Sequence, residues 1–274
     1  MVKNGEDSGA YTLRVEGLSR VFGTKVAVDG VSFSAKEGEI FGVVGPNGAG
    51  KTTTVRMLTT LLPPTSGVAW IMGFNIVTEP SLARRYIGYV PQAVSVDGYL
   101  TGYENLMIFA KLSGVPRKCR KERIDEILQF LGLQDAAHQL VRYYSGGMVR
   151  RLEIGQALLT RPNLLFLDEP TVGLDPVARR SVWDMLKGIR TGQSLSILIT
   201  THYMEEAESL CDRVGIMNQG KLVTVGSPEE LKRATGRTDA TLEDAFRFFT
   251  QESYDEGGSF RELRRTRRFA RRLG

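Results

Sequence analysis

Residues 45–52 read GPNGAGKT and fill the pattern G-x-x-x-x-G-K-[ST]. They lie between an apolar, β-branched run, EIFGVVG, and a helix-forming segment, TTTVRMLTTLL, that stops at Pro63 and Pro64. A strand, a glycine loop and a helix in that order leave few architectures open, because the helix must pack back onto a sheet covered by helices. Gly48 and Gly50 let the backbone curl until successive amides point inward, and the helix N-terminus adds partial positive charge, a combination suited to an anion. Gly45, Pro46, Asn47, Gly48, Ala49, Gly50, Lys51, Thr52 and the following Thr53 are therefore the expected cradle for a nucleotide's phosphates. Lys51 should reach the β- and γ-phosphates, Thr52 should ligate Mg²⁺ through its hydroxyl, and Thr53 can donate to a phosphate oxygen. The competing reading is a glycine turn that binds nothing.

Along the rest of the chain, YTLRVEGL and VAVDGVSFSA alternate as half-buried strands do, and GVAWIMG and RRYIGYVPQ add two more. From about residue 93 to 160 the pattern changes. YENLMIFAKLSG, RKERIDEILQFLGL and GGMVRRLEIGQALLT carry apolar residues at three-to-four spacing, which predicts a helical insert. Strand and helix then alternate: NLLFLD, PVARRSVWDMLKGIR, LSILITT, YMEEAESLC, and a strand pair, RVGIMN and KLVTVG, across Gln219 and Gly220. The expectation is an α/β parallel-sheet core with an antiparallel β edge and an inserted helical subdomain, spanning 11–235, followed by an extension over 236–274.

Three further sites carry chemistry. NLLFLDEP ends a hydrophobic strand on Asp168 and Glu169, a costly place for two carboxylates unless they meet a cation or water. In a nucleotide site Asp168 would hold Mg²⁺ and Glu169 would orient and polarise the attacking water. Taken alone, the pair also reads as an acidic helix cap. His202 follows LSILITT at a strand's C-terminal end, where open α/β sheets place their ligands, although a lone histidine is commonly structural. Taken alone, Gln92, in YVPQ, reads as a solvated turn residue, and Phe22, in RVFGT, has core packing as its alternative reading.

The motifs GPNGAGKT, YVPQ, YSGGM, LLFLDEP, GLD and TTH, in that order, resemble the nucleotide-binding domain of ABC transporters over residues 11 to about 235. The resemblance implies a P-loop NTPase fold, ATP with Mg²⁺, and a homodimer whose two chains pair head to tail around two nucleotides. It implies that Ser145, Gly146 and Gly147 bind the γ-phosphate held by the opposite chain and that Asp175 lies at the dimer interface. By the same carry-over, Gln92 senses the γ-phosphate and Mg²⁺ while contacting the membrane partner, His202 bonds the γ-phosphate, and Phe22 stacks on adenine. Many family members have glutamine at the position of Met148 and leucine at that of Tyr144. Methionine cannot supply an amide's hydrogen bonds, so the phosphate contacts are expected from Ser145 and backbone amides. With these substitutions the chain is similar to drug-resistance ATP-binding subunits typified by daunorubicin exporters. That implies ATP hydrolysis driving a separately encoded permease that exports a drug or lipid-like amphiphile. An ABC ATPase acting on a protein complex, a non-hydrolysing ATP-gated subunit and a P-loop kinase are the alternatives. The last gives no reason for residues 145–147.

Composition bounds the remainder. No apolar run approaches the ~18 residues that span a bilayer, and the N-terminal residues lack the apolar centre of a secretory signal. The expected place is therefore cytoplasmic, peripheral on the inner face of the membrane through the permease. Cys119 and Cys211 are too far apart in sequence to suggest a metal or disulfide framework. The formal charge of +5 is concentrated at the end: residues 251–274 hold seven arginines against four acidic residues. The body lacks the basic stripe of a nucleic-acid binder. The arginine tail reads as a mostly solvated end behind a Gly257, Gly258 hinge, with contact to anionic lipid as the other reading.

Overall fold

The computed structural model describes residues 11–190 and 195–255. The arginine-rich stretch from 256 onward, with the readings placed on it, lies outside the described residues. In chain order the elements are β1 Tyr11–Phe22, β2 Lys25–Lys36, β3 Ile40–Val44, α1 Lys51–Leu58, β4 Ser66–Ile71, β5 Phe74–Asn75, α2 Pro80–Ala83, β6 Ile87–Val90, α3 Gly102–Leu112, α4 Arg120–Phe130 and α5 Gly146–Leu158. Then follow β7 Leu164–Asp168, α6 Pro176–Arg190, β8 Ser196–Thr201, α7 Met204–Leu210, β9 Arg213–Asn218, β10 Lys221–Gly226, α8 Pro228–Ala234 and α9 Leu242–Asp255.

Two sheets form. One has the order β2-β1-β4-β5 and is antiparallel. The other runs β10-β9-β3-β8-β7-β6, parallel except at the β10-β9 edge. Every residue of β3, β7 and β8 is buried, as expected of parallel strands covered on both faces. Their side chains divide by alternation. Phe41, Val43, Phe166 and Leu198 join the antiparallel sheet in one apolar cluster with Leu13, Val15 and Val28, where Phe33 stacks on Phe41 at 4.9 Å. Ile40, Val44, Leu165, Leu167, Ile197 and Ile199 face the other way, onto Val182 and Leu186 of α6 and Leu210 of α7. A third cluster, with Leu106, Ile124, Leu128, Leu131, Val141 and Leu152, gathers α3, α4 and α5.

Local differences from expectation have local causes. Helix α1 ends at Leu58 rather than running to Leu62: Thr60 takes a left-handed φ of 62°, and the amides of Leu61 and Leu62 both return to the Arg56 carbonyl. The segment from 84 to 86 is a 3₁₀ turn, so β6 starts only at Ile87. Thr241 and Asp244 form a reciprocal cap, each side chain bonding the other's backbone amide. The helix they start returns to the body, with Leu242 and Ala245 fully buried against the α6 and α7 layer.

Candidate functional site

Parallel register aligns the C-terminal ends of β3, β7 and β8. Val44 pairs with Thr201 and Asp168 with Thr200, so the 45–52 loop, the two carboxylates and His202 leave the sheet along one edge. The Gly45 amide is tied directly to the Thr201 carbonyl at 3.3 Å.

The loop has the backbone its sequence called for: Gly48 and Gly50 have φ of 81° and 106°. Glycine is required at Gly45 and Gly50 for space as well. A Cβ on Gly45 would collide with the Met217 carbonyl oxygen, and one on Gly50 would lie 2.6 Å from that of Ala27. A Cβ on Gly48 would meet nothing. Gly45→Ala is therefore expected to destabilise the fold by about 1–3 kcal/mol through overpacking. It should also weaken nucleotide binding more than Gly48→Ala does. Urea melts and a fluorescent-nucleotide titration of the two variants check this; equal effects would refute it.

Lys51 is buried, and its ammonium donates to the carbonyls of Gly45 at 2.8 Å and Pro46 at 3.2 Å. It also pairs with Glu169 Oε1 at 2.9 Å. The other oxygen of Glu169 meets His202 Nδ1 at 2.8 Å and accepts from the His202 amide at 3.3 Å. Glu169 has φ of 50°, a left-handed conformation that a β-carbon disfavours, and its amide donates to the Thr200 carbonyl at 3.0 Å. The turn just past β7 aims this side chain back over the loop.

Asp168 is 1% exposed. Its Oδ1 accepts from the hydroxyls of Thr52 at 3.1 Å and Thr200 at 2.6 Å, while its buried Oδ2 has no hydrogen-bond partner among the described residues. A hard, oxygen-only donor set with one oxygen unsatisfied fits Mg²⁺ well.

An open cleft of about 560 Å³ is lined by Phe22, Asn47, Gly48, Gly50, Lys51, Thr52, Thr53, Gln92 and Glu169. Lys25, Val26, Ala27, Gln219 and Gly220 complete it. These last five were not singled out from sequence. The turn at Gln219 and Gly220 was legible only as a hairpin, and the tie from the Gly220 amide to the Ala49 carbonyl, 2.9 Å, is what brings it to the loop. Phe22 is 44% exposed, with the Arg20 guanidinium 4.6 Å from its ring centre, so it is a surface ring rather than a core one.

Ser145, Gly146, Gly147 and Asp175 are not among the residues lining the cleft. Ser145 caps α5 by accepting from the Met148 amide at 3.3 Å, and Asp175 caps α6 by accepting from the amides of Val177 and Ala178, both at 2.9 Å. The two helix starts touch: a Cβ on Gly147 would lie 2.9 Å from that of Ala178. Ser145, Gly146 and Asp175 are exposed. The Met148 side chain packs on the helical cluster, and Tyr144 is buried with its hydroxyl donating to the Ala136 carbonyl at 2.7 Å. Both side chains thus have packing roles.

Behind the edge, Glu206 is fully buried and accepts from the Thr171 hydroxyl at 2.7 Å and the Trp183 indole at 2.9 Å. Burial raises its carboxyl above the ordinary range, against the hydrogen-bond donors around it. The described residues contain no helix long and apolar enough to cross a membrane.

Residues 28–172 match the ABC transporter family. Over 220 residues the chain is 43% identical to the linearmycin resistance ATP-binding protein of Bacillus subtilis, covering 80% of this chain and 70% of that one. Over 224 residues it is 42% identical to the daunorubicin/doxorubicin resistance ATP-binding protein of Streptomyces peucetius, covering 82% and 68%. A solved ATP-binding subunit of an ABC transporter superposes with a TM-score of 0.77 at 28% identity, covering 87% of this chain and 99% of that one.

Proposed function

Because the chain belongs to the ABC transporter family, whose ATP-binding subunits it matches over most of its length, we propose that two copies close head to tail on ATP and drive a separately encoded permease. The cargo is a drug or lipid-like amphiphile, moved outward. The resistance functions named for its relatives support that cargo class and direction. The subunit sits on the cytoplasmic face through its permease, with the nucleotide unit at 11–235, the helical subdomain at about 93–160 and the extension at 236–274.

The observation that carries this reading is the division of the site. One set of residues lines a cleft, while the exposed, glycine-flanked N-terminus of α5 lies outside it and suits a phosphate presented by another chain. In each half, Lys51 and the loop amides hold the phosphates, and Phe22 stacks on the base. Thr52, Asp168 and Gln92 would hold Mg²⁺, which when bound neutralises phosphate charge. Phosphate entering the loop competes for Lys51, and Glu169 Oε1, now released, accepts a proton from the attacking water. His202 holds the second oxygen of Glu169, and its role in this reading is to bond the γ-phosphate. Ser145, Gly146 and Gly147 complete the partner's site, and Asp175 lies at the shared interface.

Ser145→Arg tests the shared site. A bulky cation there should abolish ATP-dependent dimerisation, read by light scattering in a Glu169→Gln background, and leave nucleotide binding to the monomer intact. Undiminished dimerisation would sink the head-to-tail arrangement.

A further inference from the structure

Arg150 lies one turn and a half beyond Ser145 on α5 and is 6% exposed. Its guanidinium donates to three backbone carbonyls on two loops. Nε donates to the Pro170 carbonyl at 2.6 Å, Nη2 to the Glu169 carbonyl at 3.1 Å, and Nη1 to the Pro91 carbonyl at 2.9 Å. Nη1 also pairs with Glu153 Oε2 at 3.0 Å, one helical turn on. Glu153 is itself 3% exposed, and its Oε1 accepts from the Ser95 amide at 2.5 Å and the Ser95 hydroxyl at 2.9 Å. The loop carrying Gln92 is thus gripped on both sides, at Pro91 and at Ser95, by adjacent turns of α5, and the same guanidinium holds the peptide units on either side of Pro170.

We propose that Arg150, with Glu153, is a positioning residue that locks the Gln92 loop and the Glu169 turn to the first turns of α5, so that a displacement of that loop or of the Ser145 end moves Glu169 with it. This rests on the ATPase reading above. A buried ion pair is a poor way to gain stability, because desolvation offsets most of the attraction and apolar packing serves as well. A planar fork that satisfies carbonyls on two different loops does what apolar packing cannot: it sets their relative position. Lysine keeps the charge but is a point donor on a flexible stem, and it cannot reproduce that fork. Arg150 touches none of the residues expected to hold the phosphates, so its loss should appear in the chemical step rather than in binding.

The test uses the full-length chain and steady-state ATP hydrolysis, with a fluorescent ATP analogue for affinity. Arg150→Lys is expected to lower kcat about tenfold or more while KM and affinity stay within about threefold. Combining it with Gln92→Ala should give a loss no greater than the larger single loss, because the two act on one unit. A kcat within about twofold of the parent, a KM rising in step with the fall in kcat, or losses that multiply in the double variant would each overturn the proposal. If Arg150→Lys does not fold, Glu153→Gln is read the same way, since it weakens the grip on Ser95 and leaves the guanidinium's carbonyl bonds in place. A fall in kcat of about threefold or more with unchanged KM supports the proposal, and a parental kcat overturns it. Absence of turnover in the folded parent overturns the ATPase reading and this inference together, whereas an active parent with an equally active Arg150→Lys overturns this inference alone.

Discussion

Glu169→Gln should cut steady-state ATP turnover by about two to four orders of magnitude, the range set by losing a positioned general base. The fold should hold, because the Lys51 ammonium keeps the carbonyls of Gly45 and Pro46 and is not left without acceptors. The glutamine amide is isosteric, and its oxygen can still accept from Lys51, which lies 2.9 Å from the carboxylate. The left-handed backbone at this position, held by the Thr200 carbonyl, does not depend on the charge. Loss of turnover with ATP binding preserved should therefore trap an ATP-bound dimer, seen as a doubled mass by light scattering only when ATP is present. If the variant hydrolyses ATP at the parental rate, Glu169 does not activate the water.

Lys51→Met should act on binding and folding together. Lys51 and Glu169 side chains are 5% and 4% exposed, and removing one member of a buried pair strands the other's charge, at a cost of about 3–5 kcal/mol. Loss of a charged donor to phosphate should weaken ATP binding by about ten- to a hundredfold. A double variant with Glu169→Gln removes the stranded carboxylate. It should recover much of the stability, in urea melts, without recovering affinity. If the single variant is as stable as the parent, the pair does not hold the carboxylate in solution as it does here; if the double variant binds ATP normally, Lys51 is not the phosphate contact.

Much of the fold was legible because its signals are local. The short, largely apolar runs of β3, β7 and β8 and the glycine loop that follows β3 each depend on residues a few positions apart. The end of α1 escaped because Thr60, which takes the left-handed turn, is not a residue type that announces one. The return of α9 to the main core was equally hidden: an amphipathic helix after a linker says that one face is buried, not against what. Arg150 was read only as part of a helical pattern. Its acceptors at Pro170 and Pro91 are backbone carbonyls 20 and 59 residues away, and a carbonyl leaves no mark on the sequence.

By itself the sequence determined which chemistry is on offer: a loop whose glycines permit inward-facing amides, a lysine at its end, a carboxylate pair closing an apolar strand, and a serine with two glycines opening a helix. These follow from residue type and short spacing, which are properties of the chain as written. Only the tertiary structure decided which of them meet. Parallel register places Thr52, Asp168, Glu169 and His202 on one sheet edge, and the same register and helix packing leave Ser145 and Asp175 exposed and outside that cleft. Distances between residues a hundred or more positions apart are set by strand order and core packing, which no local pattern encodes.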